Sequence, residues 1–212
     1  EVNQVANDTV RLDEVVVTGT MTEVNRKFLP MTVTSLDKQE LQGRYTSSVL
    51  TALSEQVPGM FVTGRGVIGY GVANGAAGGM SIRGIGGSPN TQVLVLIDGH
   101  PQYMGMMGHP LPDAYESAMA EKIEVVRGPA SVLYGSNAMA GVVNIVTRKQ
   151  QQDGVHTYGR AMYGSYNTFN AEAHNAFRRK GFSSFVSLNY NRTDGHRENS
   201  EFDQYGGYAK LG

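Results

Sequence analysis

Hydrophobic and polar positions follow two different rhythms along the chain, and the change falls near residue 150. Beyond it they alternate in twos: Val186, Leu188 and Tyr190 stand against Ser187, Asn189 and Asn191. Likewise Phe169, Ala171, Ala173 and Phe177 oppose Asn170, Glu172, His174 and Arg178. This period predicts strands over 155–166, 169–178 and 182–192, with a fourth starting at 205. Arg179-Lys180-Gly181 supplies a tight turn, and a polar loop runs from Thr193 to Gln204. Segments of roughly ten residues, apolar on one face, with short turns on one side and longer loops on the other, describe a transmembrane β-barrel wall. A soluble antiparallel sheet has the same alternation.

Before residue 150 the elements are short and mixed. Residues 1–12 form a polar lead-in, and Val15, Val16 and Val17 favour extended structure. Met31 to Ser35 reads as a strand, with Ser35 capping a short helix through Gln42. Thr46 to Val57 reads as a better helix, with Ser47 or Ser48 as its cap, Val49, Leu50, Leu53 and Val57 on one face, and Pro58-Gly59 as its stop. Met60 to Thr63 is a further extended segment. Val93 to Ile97 is a continuous apolar strand, and Asp98-Gly99 is a two-residue hairpin turn. Asp113 is placed to cap a helix reaching Lys122. The densest stretch is 121–149: a strand from Ile123 to Arg127, a Gly128-Pro129 corner, a helical turn from Pro129 to Tyr134, a small-residue turn over Asn137 to Gly141, and a β-branched strand from Val142 to Thr147.

Two motifs in this half, SIRGIGG...QVLVLIDGHP at 81–101 and IEVVRGPASVLYGSNAMAGVVNIVT at 123–147, resemble the plug domain of TonB-dependent outer-membrane receptors. The resemblance covers about the first 150 residues in order. It implies an α+β chain: a small mixed-sheet plug with short helices, followed by the antiparallel strands of an incomplete transmembrane β-barrel. Residues 1–20 would be a flexible lead, 21–150 the plug and 151–212 the first wall strands of a longer protein. It further implies that Asp13, Glu14, Val15, Val16, Val17 and Thr18 form a TonB box. TonB, a periplasmic energy-coupling protein, would add a strand there, so backbone hydrogen bonds would carry the affinity. An ordinary first strand is the other reading of those residues. Arg83 and Arg127, at the two motif positions, would pair with carboxylates on the inner barrel wall; two exposed arginines at strand ends are the other reading of them. Arg65, Tyr70, Asn74 and Tyr103 would lie on loops that face ligand. The implied function is a gated importer of a scarce nutrient such as a siderophore, haem, cobalamin or metal complex. The motif layout leans toward cobalamin-type plugs. The implied place is the outer membrane of a Gram-negative bacterium, with the N-terminus periplasmic and a signal peptide already removed. The alternative is a soluble plug-like binding or interaction module without transport.

Composition narrows the rest. Lys+Arg 18 against Asp+Glu 19 leaves a net charge of -1, so nothing suggests a nucleic-acid surface. Cysteine is absent, which removes disulfides, thiolate metal sites and cysteine nucleophiles. No apolar run approaches the ~18–20 residues of a transmembrane helix. Gly64-x-Gly66-x-x-Gly69 mimics a dinucleotide fingerprint, but glycines continue at 71, 75, 78 and 79, so no helix can start where a pyrophosphate would need it. There is no G-x-S-x-G, HExxH or P-loop, so neither an enzyme nor a cofactor is expected. One stretch carries soft ligands: His100, Met104, Met106, Met107 and His109, whose thioether and imidazole groups would suit copper. A Gly-Met loop packing as adaptable filler is the alternative reading.

Overall fold

The structure, a computed structural model, describes residues 15–16, 24–25, 32–42, 48–64, 66, 68–70, 78–87, 90–102, 112–150 and 152–212. Strand β1 (Val15–Val16) pairs antiparallel with β2 (Val24–Asn25) over two residue pairs. Strand β3 (Thr32–Leu36) leads into helix α1 (Lys38–Gln42). The cap of α1 is Asp37 rather than Ser35, which lies inside β3. Asp37 and Glu40 form a reciprocal capping box, each side chain accepting from the other's backbone N–H at 2.9 Å. Helix α2 (Val49–Gln56) is capped by Ser48, whose Oγ accepts from the Leu50 N–H at 3.3 Å. Val49, Leu50, Ala52 and Leu53 are buried along it.

A small antiparallel sheet follows: β4 (Met60–Val62), β5 (Met80–Ile82) and β6 (Ile85–Gly87). Strand β7 (Val93–Ile97) turns through Asp98-Gly99 into β8 (His100–Pro101). Positive φ at both residues, 50° and 80°, fits the hairpin turn that Asp-Gly announces. The expected helix from Asp113 to Lys122 does not form. Two 3-10 turns, Pro112–Ala114 and Ser117–Met119, flank an extended Glu116, which bridges to Ser48. Strand β9 (Ala120–Arg127) therefore begins three residues before Ile123. The proposed cap is otherwise engaged, because the Asp113 carboxylate accepts the Tyr70 N–H at 2.9 Å. Helix α3 (Ser131–Tyr134) starts after Ala130, leaving Pro129 outside it. Strand β10 (Gly141–Thr147) completes the first half.

These strands form a five-stranded sheet in the order β3-β9-β10-β7-β8, parallel at β10/β7 and antiparallel elsewhere. Being buried on both sides, its central strands read as continuous apolar runs rather than alternations. On one face Val93, Val95, Ile123, Val125, Val143 and Ile145 pack with α2, Met60, Met80 and Ile82. On the other, Val33, Leu94, Leu96, Val126 and Val142 pack with Ala130 and Ala138.

The second half is a meander of long strands: β11 (Gly154–Gly164), β12 (Thr168–Arg179), β13 (Phe182–Thr193) and β14 (Phe202–Leu211). Its polarity is inverted relative to a water-soluble sheet. Ser183, Ser187, Asn189, Asn191 and Thr193 of β13 are buried on the inner face, whereas Val186, Leu188, Tyr205 and Leu211 are exposed on the outer face. The mixed-sheet body thus sits on the polar side of this wall.

Candidate functional site

The site is the seam between body and wall, together with the body's free corners. Strand β7 delivers Asp98 to the seam. Its carboxylate accepts from the Thr147 N–H at 2.8 Å, the Thr147 hydroxyl at 2.6 Å and the Lys210 ammonium of β14 at 2.6 Å. Lys210 also donates to Thr147 Oγ1 at 2.8 Å, and the Tyr208 hydroxyl donates to the same oxygen at 3.3 Å. Burial alone would raise the Asp98 pKa, but the hydrogen bonds from Lys210 and Thr147 outweigh it and hold the carboxyl below its ordinary value. The turn residue anticipated from Asp-Gly is therefore also an anchor to the wall.

Arg148, the first residue beyond β10, is a second anchor. Its Nε donates to the Ala120 carbonyl at 3.1 Å and its Nη1 to His174 Nε2 of β12 at 3.0 Å. His174 is stacked on Tyr158 of β11, with ring centroids 4.9 Å apart. A third contact is Glu116, 7% exposed, whose carboxylate lies beside the Asn189 side chain at Gly206. Its carboxyl is pushed above the usual range by burial and, beyond the lowering effect of Asn189, by the charge of Glu172. Gly206 makes room for it, since a Cβ there would overlap the Glu116 and Asn189 side-chain oxygens. Finally, Gln204 Nε2 donates to the Asp113 carbonyl at 2.8 Å.

Arg83 and Arg127 come together at the opposite end of β9. Arg83 and Gly84, both at positive φ, turn β5 into β6, so Arg83 is a hairpin residue rather than a plain strand end. The Arg83 N–H donates to the Gly59 carbonyl at 2.7 Å, and Arg127 Nη1 donates to the Pro58 carbonyl at 3.2 Å. The Pro58-Gly59 corner holds the pair. Among the described residues neither makes an ion pair, and Arg127 Nε is buried without an acceptor.

Other expected residues are dispersed. Tyr70 is tied to the core: its hydroxyl lies 3.2 Å from Thr51 Oγ1 and its N–H is held by Asp113, so it anchors its loop instead of standing free. Arg65, Asn74 and Tyr103 lie outside the described residues. So do Met104, Met106, Met107 and His109 of the soft-ligand stretch; His100 is exposed on β8. Among the described residues no group of three His, Cys, Asp or Glu could hold a metal ion. Asp13, Glu14, Val17 and Thr18 also lie outside the described residues, while Val15 and Val16 pair within the chain. The wall partners of Asp98, Arg148 and Glu116 escaped the sequence reading. Their partners stand far along the chain, and only the inward polar residues of β12–β14 hinted at them.

A mixed-sheet body packed against the polar face of an outward-apolar wall is the arrangement of a plug with the first strands of an incomplete transmembrane β-barrel. Comparison with known proteins names the family. Residues 25–142 match the TonB-dependent Receptor Plug Domain, and the chain belongs to that family. It is a family of outer-membrane receptors rather than enzymes, and the chain belongs to the outer membrane of Gram-negative bacteria. An iron-regulated outer membrane virulence protein of Vibrio cholerae is 35% identical over 155 residues, covering 69% of this chain and 22% of that protein. The chain thus spans about a fifth of that relative's length. Among solved structures, the siderophore receptor PiuA of Acinetobacter baumannii superposes with TM-score 0.67 at 19% identity, over 86% of this chain and 24% of that one. The alcaligin receptor FauA of Bordetella pertussis gives 0.67 at 19%, over 85% and 30%. The copper transporter OprC gives 0.64 at 19%, over 84% and 27%. At such identities these structures speak for the fold alone.

Proposed function

We propose that this chain is the gate and first wall segment of an energy-coupled importer that takes a ferric siderophore or similar chelate across the outer membrane. The observation that carries the reading is the inverted wall, with the body lodged on its polar face. A soluble module has no use for Leu188 and Tyr205 facing outward, 62% and 79% exposed. The iron-regulated name of the Vibrio cholerae relative and the siderophore receptors of the same fold favour an iron chelate; the cobalamin lean gains nothing from them.

In this reading Arg83 and Arg127 meet carboxylates from wall strands later in the full receptor, which the unsatisfied Arg127 Nε favours. TonB takes residues 13–18 as an added strand. The two residue pairs that hold Val15–Val16 to Val24–Asn25 are few enough for a competing strand to displace. Cargo drives this exchange only through its differential affinity for the two tail states. The test is deletion of residues 13–18 from the full-length receptor, followed by measurement of chelate binding and uptake. Binding should persist while uptake is lost; uptake that survives the deletion sinks the coupling role. Running the uptake assay with ferric chelates and with Cu(I) also tests the soft-ligand stretch from His100 to His109 as a cargo contact, since methionine-to-leucine changes there should impair only copper.

A further inference from the structure

Where the chain passes from β10 into β11, a cavity of about 100 Å³ lies between body and wall, lined by Lys38, Glu121, Arg148, Lys149, His156 and His174. One water needs roughly 10–15 Å³, so there is room for a polyatomic solute. The charges around it do not balance. Lys38, Arg148 and Lys149 face a single carboxylate, Glu121, which is 3.7 Å from Lys38. Arg148 is the decisive member. It is only 7% exposed, and among the described residues no carboxylate lies within 4.0 Å of it. Its hydrogen-bond partners, the Ala120 carbonyl and the His174 ring, bring no negative charge. A guanidinium buried with no carboxylate in contact, Glu121 and Glu172 acting on it only at longer range, is costly, and its planar fork of donors matches an oxyanion.

We propose that this cavity binds a tetrahedral oxyanion of the phosphate class, held by Arg148 and screened by Lys149 and Lys38. The bound anion joins α1 and the β10 exit of the plug to His156 and His174 of the wall. It thereby stiffens the seam beside the chain's own crossover. Because His156 and Ala176 lie toward the end of the wall closed by the short Lys180-Gly181 turn, the side that such barrels turn to the periplasm, the natural source is a solute of the periplasm; a lipid phosphate is the other source of the same chemistry.

The test uses the full-length receptor, purified in phosphate-free detergent and titrated calorimetrically at constant ionic strength. The probes are inorganic phosphate, a water-soluble short-chain phosphatidic acid, and chloride. Phosphate should bind with one site per chain, and Arg148→Gln should weaken it about ten- to a hundredfold, the loss of a charge-assisted hydrogen bond. Arg148 is buried and its replacement endangers folding, so Lys149→Met and Lys38→Met form a second arm at more exposed positions. Each should weaken binding about two- to fivefold. Binding of the lipid alone keeps the chemistry and assigns it to the membrane. No heat with either phosphate, the same heat with chloride, or full affinity in all three variants overturns the proposal.

Discussion

The link between Asp98 and Lys210 should act as a measurable lock between plug and wall. Asp98→Asn keeps a residue that tolerates positive φ in the turn and removes only the charge, while Lys210→Met removes the ammonium and keeps the stem. The partners are 2.6 Å apart, with side chains 34% (Lys210) and 24% (Asp98) exposed. Fully exposed pairs are worth about 0.2–1 kcal/mol, and breaking a fully buried pair costs about 3–5 kcal/mol. This half-buried, fully hydrogen-bonded network falls between, so a coupling of about 1–2 kcal/mol is expected from the double-mutant cycle. The assay is hydrogen exchange by mass spectrometry on the full-length receptor, following peptides that contain β7 and β10. A loss of 1–2 kcal/mol appears as roughly five- to thirtyfold lower protection if the seam opens before exchange. The sign with pH is fixed by the depressed Asp98 pKa. The lock's stabilisation is fully present above the ordinary carboxylate value near ~4 and is lost as pH falls through the lower folded value. The wild-type advantage over Asp98→Asn should therefore hold from pH 7 to about 5 and shrink only below about 4. Additive single effects, within about 0.3–0.5 kcal/mol, would show that the contact contributes no lock.

Three other substitutions probe the body and the wall. Gly141, at φ 155°, lies so close to β9 that a Cβ would overlap the Val126 carbonyl oxygen and come within 2.9 Å of Ile82 Cδ1. Gly141→Ala should destabilise the plug by about 3 kcal/mol, read as faster limited proteolysis. Gly135→Ala, at φ 84° but in open space, should cost only about 1–2 kcal/mol, and equal sensitivity of the two would refute the steric argument. Leu188→Lys on the outer face should cost about 2–4 kcal/mol if the residue is near the bilayer midplane, and less near an interface. It should lower the folded yield in outer membranes; an unchanged membrane yield with greater solubility would instead favour the soluble module.

How far sequence carried the reading depends on the range of the interaction concerned. Local signals worked. Ser48 caps α2, Asp98-Gly99 turns β7 into β8, and Lys180-Gly181, both at positive φ, turns β12 into β13. The two-residue period after 150 separated outward Val186 and Leu188 from inward Ser187 and Asn189, because in a wall every residue faces one of two solvents. Local signals failed where tertiary contacts outbid them. The Asp113 carboxylate looked free to cap a helix, yet the Tyr70 N–H uses it, and Glu116 is drawn out extended toward Ser48 and the wall. Which long-range partners meet was not legible locally. Lys210 stands 112 residues from Asp98, and Arg148 looks like an ordinary charged residue at the end of a strand until β12 places His174 beside it. The alternation did encode half of that relation, since polar residues facing inward need partners. Buried Asn189 and the Arg148–His174 contact show that the body supplies them. Body and wall are therefore not two independently legible domains: the polar face of one is made stable by the side chains of the other. That dependence is why Asp98, Arg148 and Glu116 became visible only once the strands were paired.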